Sequence, residues 1–178
     1  QSDYEDGKYE GIWEPFLMIT ESNELICFYS DMRDSKNHAQ KLVYQKSSDG
    51  VNWGEVVDVV SADKAILKPG MITVAKMNNN KYIMTYELID DSEAPKVVYN
   101  NVYYRFSDDG VNWGNPSDLG TKLVANDSNS STGKNQPGSA PYIVYTDKGG
   151  PAGTLILTAG FDSYKNAPPG SSLFISQD

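Results

Sequence analysis

The stretch that decides the fold is SSDGVNWG at residues 47–54, which returns as SDDGVNWG at residues 107–114, 60 positions later. A third copy begins with LFISQD at residues 173–178, which places its Ser-x-Asp in register with the other two. Self-similarity at a fixed period is typical of proteins built by repeating one supersecondary unit. The sequence therefore predicts a repeat architecture.

Both complete copies of the turn contain residues suited to a tight loop. An Asp carboxylate can accept hydrogen bonds from N–H groups of its own turn, Gly supplies a positive φ, and Trp covers the turn with an apolar face. We therefore interpret Asp49, Trp53, Asp109 and Trp113 as fold determinants rather than catalytic residues. The turn resembles the Asp-box of sialidase-like propellers, Ser-x-Asp-x-Gly-x-x-Trp, with one residue missing between Asp and Gly in both copies.

Short apolar or alternating runs around these turns indicate strands. In the first unit they lie at 12–19, 24–30, 41–46 and after Trp53. In the second unit they lie at 71–76, 81–88, 101–106 and after Trp113, and in the third at 141–146, 154–159 and 172–176. Four strands in each radially repeated unit is the pattern of a propeller blade.

The predicted fold class is all-β, a β-propeller of four-stranded antiparallel blades. The chain holds about three blades, with units at 11–60, 68–120 and 138–178 of one domain spanning 1–178. Propellers contain about four to eight blades, so three cannot close the ring. We expect the remaining blades to lie on sequence beyond this chain, because the third repeat stops within a turn; association of two chains is the alternative.

Composition argues against several classes of partner and cofactor. The chain has 15 Lys and Arg against 24 Asp and Glu, a net charge of −9, and its basic residues are scattered, so no nucleic acid is expected as a partner. No run approaches the roughly 20 apolar residues that cross a bilayer, so no membrane partner is expected. With His38 the only histidine and Cys27 the only cysteine, the sequence predicts neither a metal site nor a cofactor.

Two glutamates stand out as candidates for chemistry. Glu14 lies in the apolar stretch GIWEPFLM at 11–18, and Glu87 is the only acid in KYIMTYEL at 81–88. A charge in such a setting is expensive unless it has a partner or a task. A pair of carboxylates in unlike environments is what glycoside hydrolysis requires. Buried, hydrogen-bonded glutamates at sheet ends are the alternative.

A series of further motifs carries a family resemblance. They are WEPFLM at 13–18, YSDMRD at 29–34 with QKLV at 40–43, KPGM at 68–71 with TVAK at 73–76, KYIMTYE at 81–87 and GSAPY at 138–142. In this order they resemble the successive motifs of glycoside hydrolase family 93, the exo-1,5-α-L-arabinanases, over residues 11–178. The resemblance implies a six-bladed propeller that releases arabinobiose from the end of linear arabinan with retention of configuration.

The resemblance also implies residue roles and a setting. The family's two catalytic glutamates fall on Glu14, as general acid/base, and Glu87, as nucleophile. The implied partner is arabinan or a related plant cell-wall polysaccharide, and the implied location is outside the cell. One departure lies beside the presumed site, because Ile72 stands where a proline is expected.

Five further residues are candidates for sugar binding. Trp13 and Tyr86 adjoin the two glutamates, although strand alternation would point them to the opposite faces, where they would pack within the blades. Asp31, Arg33 and Gln40 come from the loop after the second strand and could bind sugar hydroxyls. The alternative is a structural ion-pair cluster of Arg33 with the flanking Asp31 and Asp34.

Two other functions remain open from the residues alone. One is a different sialidase-like glycosidase, although a sialidase needs an arginine cluster for its substrate's carboxylate and the predicted strand starts supply none. The other is a non-catalytic glycan-binding propeller in which the two acids only bind hydroxyl groups.

Overall fold

The computed structural model describes residues 11–62, 66–93, 97–126, 136–160 and 171–177. Within these residues, all regular structure is β, in three antiparallel sheets. The predicted all-β propeller class is confirmed. The same residues contain no helix long and apolar enough to cross a bilayer.

Each sheet is a meander of strands that follow one another in the chain. The first contains β1 (Ile12–Ile19), β2 (Leu25–Asp31), β3 (Lys41–Ser47) and β4 (Val57–Val60). The second contains β5 (Leu67–Lys76), β6 (Tyr82–Glu93), β7 (Val97–Ser107) and β8 (Thr121–Lys122). The third contains β9 (Tyr142–Thr146), β10 (Thr154–Gly160) and β11 (Ser171–Ser176).

The strands of the second sheet extend further than predicted. β6 continues to Glu93 rather than ending at Leu88, because its pairing with β7 continues through Ile89 opposite Asn100 and Asp90 opposite Tyr99. The residues that follow Glu87 therefore continue the strand to Glu93. This long hairpin extends past the point where Glu87 lies.

Two apolar cores join the three sheets face to face. The first lies between the first and second sheets and includes Phe28, Leu42, Met84 and Tyr86, all fully buried. The second core lies between the second and third sheets and includes Ile83, Val102, Ile143, Leu157 and Ala159. Because strand side chains alternate between faces, each sheet can contribute to a core on either side. This is the stacking expected of adjacent propeller blades.

The repeated turns are held by the same hydrogen bonds in both copies. Asp49 Oδ1 accepts from the N–H groups of Val51 at 2.9 Å and Asn52 at 2.7 Å, and Asp109 Oδ1 does the same in the second copy. The hydrogen bonds from Asn52 and Val51 hold the pKa of the Asp49 carboxyl well below its usual range.

The second turn also reaches the neighbouring blade. Trp113 is buried and meets Phe28 of the first sheet edge-on, with ring centroids 6.3 Å apart. Trp53, its counterpart in the first sheet, is 37% exposed. The turn of one blade therefore packs into the junction with the blade before it.

Arg105 connects this turn to the first sheet from a buried position on β7. Its Nη1 donates to the carbonyls of Val59 at 3.1 Å and Asp118 at 3.0 Å, and its Nη2 donates to those of Trp113 and Asn115. The planar guanidinium presents several donors in fixed directions, which suits a cluster of carbonyl groups.

We expect Arg105→Met to lower the free energy of unfolding by about 3 kcal/mol or more, because buried carbonyls lose charged donors. Urea titration of the complete protein measures the change. Lys122→Met on the exposed strand β8 is the matched control and should change stability by less than about 0.5 kcal/mol. Equal stability of the two variants would contradict this role for Arg105.

Candidate active site

The candidate site lies beside register shifts in β1 and β5, the first strands of the first and second sheets. The ladder of β1 shifts register between Trp13 and Phe16, and that of β5 shifts between Gly70 and Thr73. Such shifts are β-bulges, which re-aim the backbone and side chains at the edges of sheets and beside functional sites.

Each of the three blades has a residue with positive φ two residues before a run of consecutive cross-strand pairs, and in β1 and β5 this residue lies inside the register shift. These residues are Glu14 at 58°, Met71 at 54° and Ala140 at 49°. The other non-glycine residues with positive φ in the described part of the chain are Asn23 and Asn80, a residue type that tolerates this region. Residues other than Gly, Asn and Asp pay about 1–2 kcal/mol to adopt it. The three backbones therefore need specific contacts to hold them.

Glu14 bridges the first and second blades. Its Oε2 accepts hydrogen bonds from Ser30 Oγ on the neighbouring strand and from the Met71 N–H of the second blade, both at 3.0 Å. The side chain is otherwise exposed. The two donors, one from each blade, fix the orientation of the carboxylate.

Glu87 bridges the second and third blades. It is 8% exposed, and its Oε2 accepts from the Ala140 N–H at 2.8 Å and from Asn100 Nδ2 at 3.5 Å. Burial raises the pKa of Glu87, the hydrogen bonds from Ala140 and Asn100 lower it, and the negative charge of Glu14 raises it further. The net direction is upward, so Glu87 holds a proton to higher pH than an ordinary glutamate.

Gly70 lies between the two acids. It is the cross-strand partner of Glu87, and a Cβ built on it would lie 3.4 Å from Glu14 Oε2 and 2.9 Å from Gln40 Nε2. Gln40 donates through this nitrogen to the Pro69 carbonyl at 2.7 Å. The absence of a side chain at Gly70 therefore allows the Gln40 amide and the Glu14 carboxylate to approach the strand closely.

Together these contacts place the two predicted acids on either side of one short backbone segment. The negative charge of Glu14 acts on the Glu87 carboxyl and contributes to its raised pKa. Such a pair can donate one proton while keeping one negative charge. In the described residues no group of three or more His, Cys, Asp or Glu side chains is arranged to hold a metal ion.

Asp31 and Arg33 form an ion pair. Arg33 Nε and Nη2 donate to Asp31 Oδ1 at 2.9 Å and Oδ2 at 2.6 Å, and the Arg33 N–H also donates to Oδ1. Burial raises the pKa of Asp31, but the hydrogen bonds and charge of Arg33 outweigh it and the net shift is downward. The ion-pair alternative describes these contacts, and sugar binding by the two residues stays a prediction.

The aromatic neighbours of the acids lie in different places. Tyr86 is fully buried, stacks on Tyr103 with ring centroids 6.0 Å apart and donates its hydroxyl to the Leu119 carbonyl. This corrects its assignment as a sugar-binding residue, because alternation turns it from Glu87 into the core. Trp13 is 44% exposed and lines a cavity of about 340 Å³ together with Cys27 and others of the first sheet, so its sugar binding stays a prediction.

Sequence reasoning missed four groups that contact the acids, and three of them have no distinctive signal. Met71 and Ala140 contribute backbone N–H groups, which every residue except proline carries, and Ser30 is an ordinary strand residue. Asn100 is the exception, because its position directly before the predicted strand at 101–106 marks it as a polar side chain at a strand end. Its Oδ1 is buried and has no hydrogen-bond partner among the described residues.

The stacked sheets and the paired carboxylates define the class of protein as a carbohydrate-active β-propeller, and comparisons with known proteins identify the family. No protein-family model matches the chain, and no curated protein does. Among solved structures, an α-L-arabinanase of Penicillium chrysogenum complexed with arabinobiose is 38% identical with a TM-score of 0.72, over 84% of this chain and 39% of that chain. The GH93 α-L-arabinofuranosidase of Fusarium graminearum with arabinobiose is 37% identical with a TM-score of 0.68. The match covers 84% of this chain and 40% of that chain.

The chain belongs to glycoside hydrolase family 93, and the resemblance inferred from its motifs is confirmed. It spans about two fifths of the length of these family structures. An exo-β-1,3-galactanase of Phanerochaete chrysosporium is 16% identical with a TM-score of 0.54 over 84% of this chain and 32% of that chain, a likeness of fold alone.

We expect Gly70→Ala to displace the Gln40 amide from the Pro69 carbonyl and to lower the free energy of unfolding by about 1–3 kcal/mol, because the new methyl group overpacks the site. A crystal structure and a urea titration of the variant measure these effects. Gly150→Ala is the matched control, since a Cβ there meets nothing within 4 Å. If the Gln40 amide kept its hydrogen bond to the Pro69 carbonyl in Gly70→Ala, the role of Gly70 in admitting Gln40 would be contradicted.

Proposed function

We propose that the complete protein is a retaining, exo-acting α-L-arabinanase that releases arabinobiose from linear 1,5-arabinan, with Glu14 and Glu87 as its catalytic pair. The observation that carries the proposal is that two carboxylates from adjacent blades flank the segment of Gly70 and Met71. Two family members of known structure are named for action on α-L-arabinosyl linkages and are complexed with arabinobiose.

The chemistry needs one carboxylic acid and one carboxylate about 5–5.5 Å apart. Following the family resemblance, Glu14 protonates the oxygen of the leaving sugar while the Glu87 carboxylate attacks the anomeric carbon. A covalent arabinosyl-enzyme forms as the bond to the leaving oxygen breaks. Glu14, now ionised, removes a proton from water, which attacks the same carbon and releases Glu87.

The assignment of roles rests on the family resemblance, because the upward shift in the pKa of Glu87 by itself would suit the proton donor. Both hydrogen bonds to Glu14 fall on Oε2, so Oε1 would carry the transferred proton. Protonation of Glu14 removes the negative charge that raises the pKa of Glu87, so a proton on Glu14 favours an ionised nucleophile. Glu87 itself is fixed by donors from Ala140 and Asn100, which suits attack from one direction.

The proposed substrate explains other features of the site. The exposed side chain of Glu14 is accessible to a sugar from solvent. The buried Oδ1 of Asn100 lies on the side chain that contacts Glu87 and is suited to accept a hydrogen bond from a sugar hydroxyl. Arabinan is a polysaccharide that cells do not take up whole, and the enzyme would therefore act outside the cell.

We expect Glu14→Gln and Glu87→Gln in the complete protein each to lower kcat on debranched arabinan by at least about 10²-fold, because each removes a proton donor or a nucleophile. Glu55→Gln, an exposed glutamate of the first blade, is the matched control and should leave kcat unchanged. Proton NMR of the first-formed arabinobiose should show the α-anomer.

Unchanged turnover in both site variants would reject the catalytic pair. Binding of arabino-oligosaccharides without hydrolysis by the wild-type protein would favour the glycan-binding propeller. Hydrolysis of other glycosides in place of arabinan would favour a different glycosidase.

Azide distinguishes the two roles. With an activated aryl α-L-arabinoside as substrate, Glu87→Ala should yield an arabinosyl azide of inverted configuration, because azide attacks the face that the nucleophile has vacated. Glu14→Ala should yield the azide of retained configuration, because the covalent intermediate still forms. NMR of the products decides, and the opposite pattern would exchange the roles within the pair.

A further inference from the structure

The same contact recurs at both blade junctions of the site. Met71, the positive-φ residue within β5 of the second blade, donates its N–H to Glu14 of the first blade at 3.0 Å. Ala140, the positive-φ residue that starts the third blade, donates its N–H to Glu87 of the second blade at 2.8 Å. In each case a blade that does not carry the acid supplies the donor.

In the third blade, hydrogen bonds on the N-terminal side of Ala140 explain why the backbone turns at this residue. The Gly160 N–H donates to the Ser139 carbonyl at 2.7 Å, and the Gly138 N–H donates to the Gly160 carbonyl at 2.8 Å. These bonds tie residues 138 and 139 to β10 of their own sheet. The positive φ of Ala140 directs its N–H away from this ladder and toward the second blade.

The residues around Ala140 do not by themselves favour its backbone conformation. Pro141 follows it, and proline favours an extended backbone in the residue before it. Glycine, the residue that adopts positive φ without strain, is absent at all three equivalent positions. The strained conformation is therefore maintained by its contacts, and the contact of the Ala140 N–H is the Glu87 carboxylate.

We propose that Met71 and Ala140 are positioning residues, whose left-handed backbones hold the carboxylates of Glu14 and Glu87 across the blade junctions. The catalytic meaning of this role rests on the function proposed above. The consequence is that each acid takes its working orientation only when the following blade is docked. Blade packing and alignment of the two acids are then one event.

The role can be measured without turnover. An N–H donor favours the charged form of its acceptor, so loss of the Ala140 contact should raise the pKa of Glu87. Among the described residues, the titratable group that acts on Glu87 is Glu14, while its other two partners, Ala140 and Asn100, are neutral. Substitutions at Ala140 leave Glu14 and Asn100 in place.

We expect Ala140→Val in the complete protein to raise the pKa of Glu87 by about one unit, because a β-branched residue is not tolerated at positive φ and the N–H is lost from the carboxylate. Ala140→Gly is the matched control, since glycine keeps both the φ and the N–H, and it should leave this pKa unchanged. Carbon-13 NMR of labelled glutamate carboxyl groups measures the value, with the Glu87 signal assigned by its absence in Glu87→Gln.

Amide exchange provides a second test that does not require Ala140→Val to fold. In Glu87→Ala the Ala140 amide should exchange at least about 10-fold faster than in the wild type, because its acceptor is gone. The Gly160 amide, which bonds to Ser139 within the third blade, is the internal control and should keep its rate.

An unchanged pKa of Glu87 in folded Ala140→Val, or an unchanged exchange rate of the Ala140 amide in Glu87→Ala, would overturn the positioning role. If these values shift as expected while the complete protein does not hydrolyse arabinan, the positioning role stands and the proposed function fails. If arabinan is hydrolysed and these values do not shift, the proposed function stands and the positioning role fails.

Discussion

The face-to-face packing of the first sheet on the second is the interaction on which the rest of the structure depends. Phe28 of the first sheet, Tyr86 of the second and Trp113 of the second turn meet in one buried core. Burying such aromatic side chains is worth about 1.5–3 kcal/mol each, far more than any single contact of the site. This packing brings the start of β5 alongside Glu14, and the corresponding core between the second and third sheets brings Ala140 alongside Glu87.

The site is assembled across these junctions by backbone groups as much as by side chains. Each acid belongs to one blade and accepts an N–H from the next, while Arg105 and Trp113 secure the junction of the first two blades at the level of the turns. The same sheet pairs therefore provide stability and alignment together. A change in blade packing would move these N–H groups relative to the carboxylates, because each N–H belongs to the blade that follows the acid.

The comparisons separate what the fold determines from what the site residues determine. The galactanase at 16% identity resembles this chain in fold, whereas the arabinanase and arabinofuranosidase at 37–38% identity also belong to its family. A propeller supports many activities, so the chemistry must be argued from particular groups near its axis. Here those groups are two glutamates that occupy different positions in successive blades: Glu14 lies in a first strand and Glu87 in a second.

The sequence by itself determined the repeat, the strand order and the family, and it predicted the two acids. Periodicity, turn chemistry and a carboxylate in an apolar strand are local signals, and they predicted β1 to its observed bounds. Only the tertiary structure decided what Tyr86 packs against, that Gly70 admits Gln40 and Glu14 close to its strand and that Met71 and Ala140 donate to the acids. The physical reason is that alternation indicates which face a side chain occupies without showing what lies opposite, and a backbone N–H is the same in almost every residue.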